Sequence, residues 1–332
     1  MKTLLPLLFL CLFNFALADL DTALEAFDSG DYPSALAQFE ELATQGNAVA
    51  QFNLGLMYGQ GLGTEPDAQV SMGYYREAAM QDIPQAAFAL AVLTERGAGA
   101  RTDQEEAFRW YSKAADLGFR EAQYEIANRY YQGLGVAQDF TRARIWYEAS
   151  ANQGDAISQY NLGVMFADGL GGEQNFAQAV EWFTLAAAQG NLDAQYNLGT
   201  LYMSGRGIDR DSEAALLWFS QAADAGLVAA QTQVGTMYSA GDGVPQDYTQ
   251  ALRWFLLAAE NDDPVAQALL GNFYLYGYGI AIDKVEAYKW YRIAASNQHG
   301  AANLALQQLQ GELTPDQVRR ASNLADDWLA NH

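Results

Sequence analysis

Of the 332 residues, 50% are hydrophobic and 13% aromatic against 17% charged, which supplies a large core and excludes a disordered chain. Eighteen Lys and Arg against 40 Asp and Glu give a net charge of −22, which excludes nucleic acid and anionic membrane surfaces as natural partners and favours basic ones. With one Cys and two His, neither an intrachain disulfide nor a His-rich metal site is expected, and no cofactor is implied.

Residues 1–18, MKTLLPLLFLCLFNFALA, put Lys2 before an apolar run from Leu4 to Phe15, broken at Asn14 and followed by Ala16-Leu17-Ala18. That is the layout of a secretory signal peptide, with cleavage expected after Ala18. The run falls short of the ~20 residues that span a bilayer. Cys11 lies inside it after Leu8-Phe9-Leu10, which disfavours a lipid anchor. The expected product is soluble and exported, periplasmic or secreted, and free of cysteine.

Residues 19–46 contain Gly30-Asp31-Tyr32, Ala35, Phe39 and Ala43, read as an opening helix pair with a short turn. From about 47 to 298 a period of 36 residues takes over, the mark of a solenoid. Its anchors are Ala50, Ala86, Ala122, Ser158, Ala194, Ala230 and Ala266. Four residues on come Leu54, Leu90, Ile126, Leu162, Leu198, Val234 and Leu270, and one further Gly55, Ala91, Ala127, Gly163, Gly199, Gly235 and Gly271, read as core and contact columns. Two glycines one apart then recur, from Gly61 and Gly63 through Gly97 and Gly99 to Gly277 and Gly279, and predict a helix end that turns through positive φ. Asp67, Asp103, Asp139, Asn175, Asp211, Asp247 and Asp283 follow as N-caps of a second helix, with Glu106, Gln178, Gln250 and Glu286 placed as capping-box partners. The buried face of that helix is expected to carry Tyr74, Trp110, Trp146, Trp182, Trp218, Trp254 and Trp290 with Ala pairs such as Ala114-Ala115. After 298 the period dissolves, and Thr314-Pro315-Asp316-Gln317 opens a helix whose Val318, Ala321, Leu324, Ala325 and Trp328 share one face, a terminal cap over 299–332.

Each unit is a pair of antiparallel helices that buries its apolar faces only by stacking on neighbours. The columns in AQYNLGTLYMSGRGIDRDSEAALLWFSQAADAG, 194–226, closely resemble the Sel-one-like repeat, a relative of the tetratricopeptide repeat, in seven tandem copies. The resemblance implies an all-α, right-handed superhelical solenoid of seven 36-residue repeats with capping helices at both ends. Its first helices would line a concave groove that binds another macromolecule. Matched column by column, the groove candidates are Phe52, Phe88, Tyr124, Tyr160 and Tyr196 with Asn53, Asn128, Asn161, Asn197 and Asn272. Inter-repeat packing is the competing role for the aromatic column. Arg129 joins the candidates because its column elsewhere holds Met57, Leu93, Met165, Leu201, Met237 and Phe273, and Thr94 stands where an aromatic is usual. An Arg there either extends its guanidinium to solvent or pairs locally.

Catalytic chemistry is poorly provided for. No GxSxG, SxxK, HExxH or calcium-loop spacing occurs, and His299 and His332 sit in a late turn and at the last position. The family implies a scaffold or adaptor; with the leader and the acidic charge, the expectation is a non-catalytic exported one that holds a protein or peptide carrying basic residues, in a cell-envelope complex or signalling pathway. The alternative is a glycan-binding module, or a glycan hydrolase built on two carboxylates. A basic peptide would bind in a salt-sensitive manner and a neutral glycan would not.

Overall fold

The computed structural model describes residues 19–98 and 102–331. The expected leader over 1–18, Gly99 and His332 lie outside the described residues. The chain forms two compact units, one of residues up to Ser158 with Leu170–Gly172, the other of Gln159–Gly169 and Glu173 onwards. Residues 19–28 are helical (α1). There follow α2 (Tyr32–Thr44) and seven helix pairs: α3 (Ala48–Gln60) with α4 (Ala68–Met80), α5 (Pro84–Arg96) with α6 (Gln104–Asp116), α7 (Arg120–Gln132) with α8 (Phe140–Asn152), α9 (Ala156–Asp168) with α10 (Phe176–Ala188), α11 (Leu192–Ser204) with α12 (Ser212–Asp224), α13 (Val228–Ala240) with α14 (Tyr248–Glu260), and α15 (Pro264–Tyr276) with α16 (Lys284–Ser296). Helices α17 (Gly300–Gln310) and α18 (Pro315–Asn331) close the chain. There is no strand among the described residues.

The helix boundaries fall where the cap residues put them. All seven expected Asp or Asn caps accept a backbone N–H from the first turn, as Asp103 does from Glu106 at 2.9 Å. The reciprocal half of the capping box is not what satisfies the cap's own N–H. That donor is taken by the preceding helix: Asp139 N–H donates to the Tyr130 carbonyl at 2.8 Å, Asn175 to Phe166 at 2.8 Å and Asp283 to Tyr274 at 2.9 Å. Glu106 is thereby released to accept from the Trp110 indole N–H at 3.3 Å. Thr314 and Gln317 do form both halves of the box, at 2.9 and 3.3 Å.

Two glycine positions per repeat have separate tasks. Gly61, Gly133, Gly205 and their equivalents cap the first helix in the left-handed region, where a side chain is strained. Among the described residues the second glycine also has positive φ, and it meets the start of the preceding repeat's second helix: a Cβ at Gly63 would lie 2.8 Å from the Tyr32 backbone.

The enclosed ring of the core is not the Trp column but the residue after it. Tyr75, Tyr111, Tyr147, Phe183, Phe219, Phe255 and Tyr291 are all buried, whereas Tyr74, Trp110, Trp146, Trp182, Trp218 and Trp254 are half-buried. Where that column of the first helix holds glycine, the buried ring of the same repeat lies on it; a Cβ on Gly199 would come within 2.9 Å of the Phe219 ring. The Trp, one position earlier and turned about the helix axis, packs sideways on the neighbouring repeat, as Trp254 does on the cluster of Phe219 and Val234. Trp290 alone of that column is buried, with Trp328 of α18 against it at 5.9 Å.

A buried amide column, which the sequence pattern alone does not distinguish from surface glutamine, ties the repeats together. Gln123, Gln195, Gln231 and Gln267 donate to the last-turn carbonyls of the preceding second helix, at Ala115, Ala187, Ala223 and Ala259. The amides that end four of the following second helices donate back, Gln81 to Gln51, Gln153 to Gln123 and Gln189 to Gln159 at 2.7 Å, and Asn297 to Gln267 at 3.1 Å, whereas Asn261 donates to the Leu257 carbonyl of its own helix. Each completed set links three helices through groups withdrawn from water, where an unmade hydrogen bond is costly.

Candidate functional site

The first helices present their half-buried aromatic residues on one face within each unit. In the second unit, α9 and α11 leave a hollow of about 440 Å³ between them. Tyr160, Val164 and Asp168 come from α9, Asn197, Thr200 and Ser204 from α11, and Arg206 from the turn after it. The half-buried Tyr160 ring packs against buried Phe183 at 5.9 Å and lines the hollow with the rest of its surface. Its hydroxyl lies beside the Asn197 amide, and its pKa is raised by burial, with the charges of Asp193 and Asp168 adding and Asn197 opposing. Thr200 and Ser204 spend their hydroxyl protons on the helix carbonyls of Tyr196 and Thr200 at 3.0 and 2.8 Å, which leaves oxygen lone pairs for a ligand. The Arg206 guanidinium lies 5.3 Å over the Phe176 ring.

The structure thus brings Tyr160 and Asn197 together, with half-buried Asn161 beside Tyr160 on α9. Tyr196 lines a second hollow of about 370 Å³ with Thr232, Gln233, Asp263 and Val265. In the first unit Phe52 packs on Tyr75 at 5.8 Å, Phe88 between Tyr111 and Phe119 at 5.5 and 5.2 Å, and Tyr124 on Tyr147 at 6.2 Å. Each is half-buried.

The asparagines divide by task. Asn53 is buried and donates to its own helix at the Val49 carbonyl, 2.8 Å away. Asn128 and Asn272 accept from the hydroxyls of buried Tyr147 and Tyr291, the latter at 2.7 Å. Both stand where repeats whose buried ring is a Phe, with no hydroxyl to donate, carry Val164, Thr200 or Thr236.

Arg129 takes the local-pairing course rather than reaching solvent. Only 2% exposed, it pairs with Glu95 at 2.7 Å, donates to Gln104 at 3.0 Å and lies 4.4 Å over the Tyr111 ring. Tyr111 donates to the other Glu95 oxygen at 3.0 Å, and burial beside Glu95 pushes its pKa up. Glu125, on the same helix as Arg129, is raised by burial, lowered by Arg129 and raised by Glu95.

Asp168, Thr200, Ser204 and Arg206 were not singled out by the sequence reading. Asp168 and Ser204 share a column with Gln60, Arg96, Gln132, Ala240 and Tyr276, and Arg206 stands where other copies carry Leu62, Leu134 and Leu170, so recurrence does not mark them; Thr200 shares its column with the candidates Asn128 and Asn272. The signal that finds them is departure from the pattern at positions whose neighbours recur.

Helix pairs of fixed length, stacked through recurring cap, glycine and ring contacts, define an all-α solenoid of the tetratricopeptide-like kind. The chain belongs to the Sel1 repeat family, whose pattern matches residues 48–83, 84–119, 120–155, 156–191, 192–227, 228–263 and 264–299. It is similar to a Sel1 repeat protein from Oxalobacter formigenes, 30% identical over 86% of each chain, with a TM-score of 0.65. It is also similar to a protective antigen of uropathogenic Escherichia coli strains that displays the same repeat fold, 28% identical over 95% of this chain and 76% of that one, with a TM-score of 0.65. No curated protein sequence matches the chain. Sel1 repeat proteins are in general protein-interaction scaffolds. Among the described residues no helix is long and apolar enough to cross a membrane.

Proposed function

We propose that this chain is a non-catalytic, exported scaffold that holds a protein or peptide partner with basic residues against the first-helix face. Residues 1–18 serve as the leader, 19–46 as the opening cap, 47–298 as the binding repeats and 299–332 as the closing cap. The observation that carries the reading is the α9–α11 hollow, where a half-buried aromatic ring is flanked by Asp168 and Asp193 and by the Asn197 amide. An aromatic anchor that leaves water on binding is typically worth ~2 kcal/mol or more. Acids around it raise the association rate of a basic partner and reject acidic competitors.

The test is capture of the partner from the native envelope, followed by single changes of Tyr124, Tyr160 and Tyr196 to Ala. The expected outcome is a loss of retention that exceeds the loss of thermal stability, together with weaker capture at high salt. Loss of stability with unchanged retention makes the column packing alone. A neutral glycan is the alternative occupant, favoured by the Thr200 and Ser204 hydroxyls beside the Tyr160 ring; salt-independent binding selects it. Intact mass of the exported protein tests the leader, with the chain expected to begin at Asp19.

A further inference from the structure

We propose that the seventh repeat carries a socket for one aromatic side chain of a partner segment, between α15 and α17. The inference extends the reading of the first-helix face as a binding surface, and its test is separate. In five repeats the first-helix aromatic covers the buried ring of its own repeat, with centroids 5.3 to 6.2 Å apart: Phe52 on Tyr75, Phe88 on Tyr111, Tyr124 on Tyr147, Tyr160 on Phe183 and Tyr196 on Phe219. The column then changes to Thr232 and Ala268. In the sixth repeat Thr232 turns its hydroxyl to the Asp263 carboxylate, which makes that place polar. In the seventh, Ala268 leaves a methyl group where the ring would stand, and a hollow of about 160 Å³ adjoins it.

The second repeat shows what such a place holds. There the Phe88 ring packs edge-on between Tyr111, at 5.5 Å, and Phe119, the N-cap of the next first helix, at 5.2 Å. Five periods further on, the same three positions are Ala268, Tyr291 and His299, and all three line the hollow. It has a closed floor and an open mouth: Ala268, Tyr291 and Ala302 are buried, whereas Val265 and Ala301 are exposed. No Asp, Glu, Lys or Arg lines it. The Tyr291 hydroxyl is spent on Asn272 at 2.7 Å, and His299 Nδ1 accepts the Ala302 N–H at 3.2 Å, so the hydroxyl and that ring nitrogen are already engaged. These features select a neutral ring. A cavity of roughly 150 Å³ lined by aliphatic and aromatic groups takes a benzene, and edge-on ring pairs attract beyond their buried area. A second copy of this chain is opposed as occupant by the charge of −22 that each would bring.

The probe is N-acetyl-phenylalanine amide, titrated into the isotope-labelled full chain and followed by NMR. Saturable shifts are expected at residues 265–272 and 299–305, with a Kd on the order of 1 mM for a ligand of this size. N-acetyl-lysine amide is expected to leave those signals unmoved. Ala268→Phe installs the residue that stands in the column at Phe52 and Phe88, and is expected to fold and to weaken the probe by roughly tenfold or more. Ala305→Leu, which fills the same hollow from α17, is expected to have the same effect. The socket is overturned by the absence of saturable shifts at these residues, by shifts confined to 160 and 197–204, or by undiminished binding in either filled variant once folded. Shifts over 265–305 that follow protein concentration alone put a second copy there and overturn it too. A chain that captures its partner through Tyr160 but takes no probe here refutes the socket and leaves the scaffold reading standing; a chain that takes the probe here and captures no partner does the reverse.

Discussion

The buried pair of Arg129 and Glu95 is unequal, and the inequality has a measurable consequence. The arginine side chain is 3% exposed and the glutamate 34%, at 2.7 Å. With an effective dielectric constant of about 20, two charges that close attract by about 6 kcal/mol, most of which offsets the removal of the guanidinium from water. Replacing Glu95 with Gln keeps an acceptor for the Tyr111 hydroxyl but strands the guanidinium where water cannot follow, at an expected cost of about 3 kcal/mol. Replacing Arg129 with Met installs the residue used at positions 57, 165 and 237 and leaves Glu95 free to hydrate, so the expected change stays within ~1 kcal/mol. The double variant should resemble Arg129→Met alone. Urea unfolding of the four proteins, with exchange protection of α5 to α7 as a local readout, completes the cycle. If Arg129→Met costs as much as Glu95→Gln, the reasoning from unequal exposure is refuted.

Gly199→Ala places a Cβ 2.9 Å from the Phe219 ring and is expected to cost ~1–3 kcal/mol by overpacking. Gly73→Ala, inside α4 with open space around the new methyl, should gain ~1 kcal/mol by helix propensity; thermal melts of the two variants are expected to move in opposite directions. Glu125 has a raised pKa from burial, so the folded chain holds that proton more tightly than the unfolded one. Its contribution to stability falls as pH rises from the ordinary glutamate range through the raised folded value, and Glu125→Gln should flatten that part of the stability–pH curve and stabilise the protein at neutral pH. Burial pushes Tyr75 and Tyr291 up to about 12, so an absorbance titration of the folded protein should show them ionising well after free tyrosine, and a single early transition would contradict their enclosure.

Local chemistry set what the sequence could determine by itself. A cap such as Asp103 bonds within its own turn, a glycine such as Gly133 is required by its own φ, and a period of 36 needs no partner to be counted, so helix ends, repeat number and family were legible along the chain. Stacking decided the rest. Whether the Trp or the residue after it is enclosed depends on which of two adjacent positions meets the glycine of its own first helix, as Phe219 meets Gly199, and which meets the preceding repeat, as Trp254 does. The N–H of Asn175 goes to Phe166 rather than to Gln178, its capping-box partner, because the previous helix end is within reach only after folding. Asn128 and Asn272 looked like groove residues and prove to hold tyrosine hydroxyls, since the residue that needs them stands 19 positions later. Recurrence in sequence reports contacts that every repeat must make, which is packing. The hollow around Tyr160 is lined instead by residues such as Asp168 and Arg206 that do not recur, so only the juxtaposition of α9 and α11 in space could assemble it.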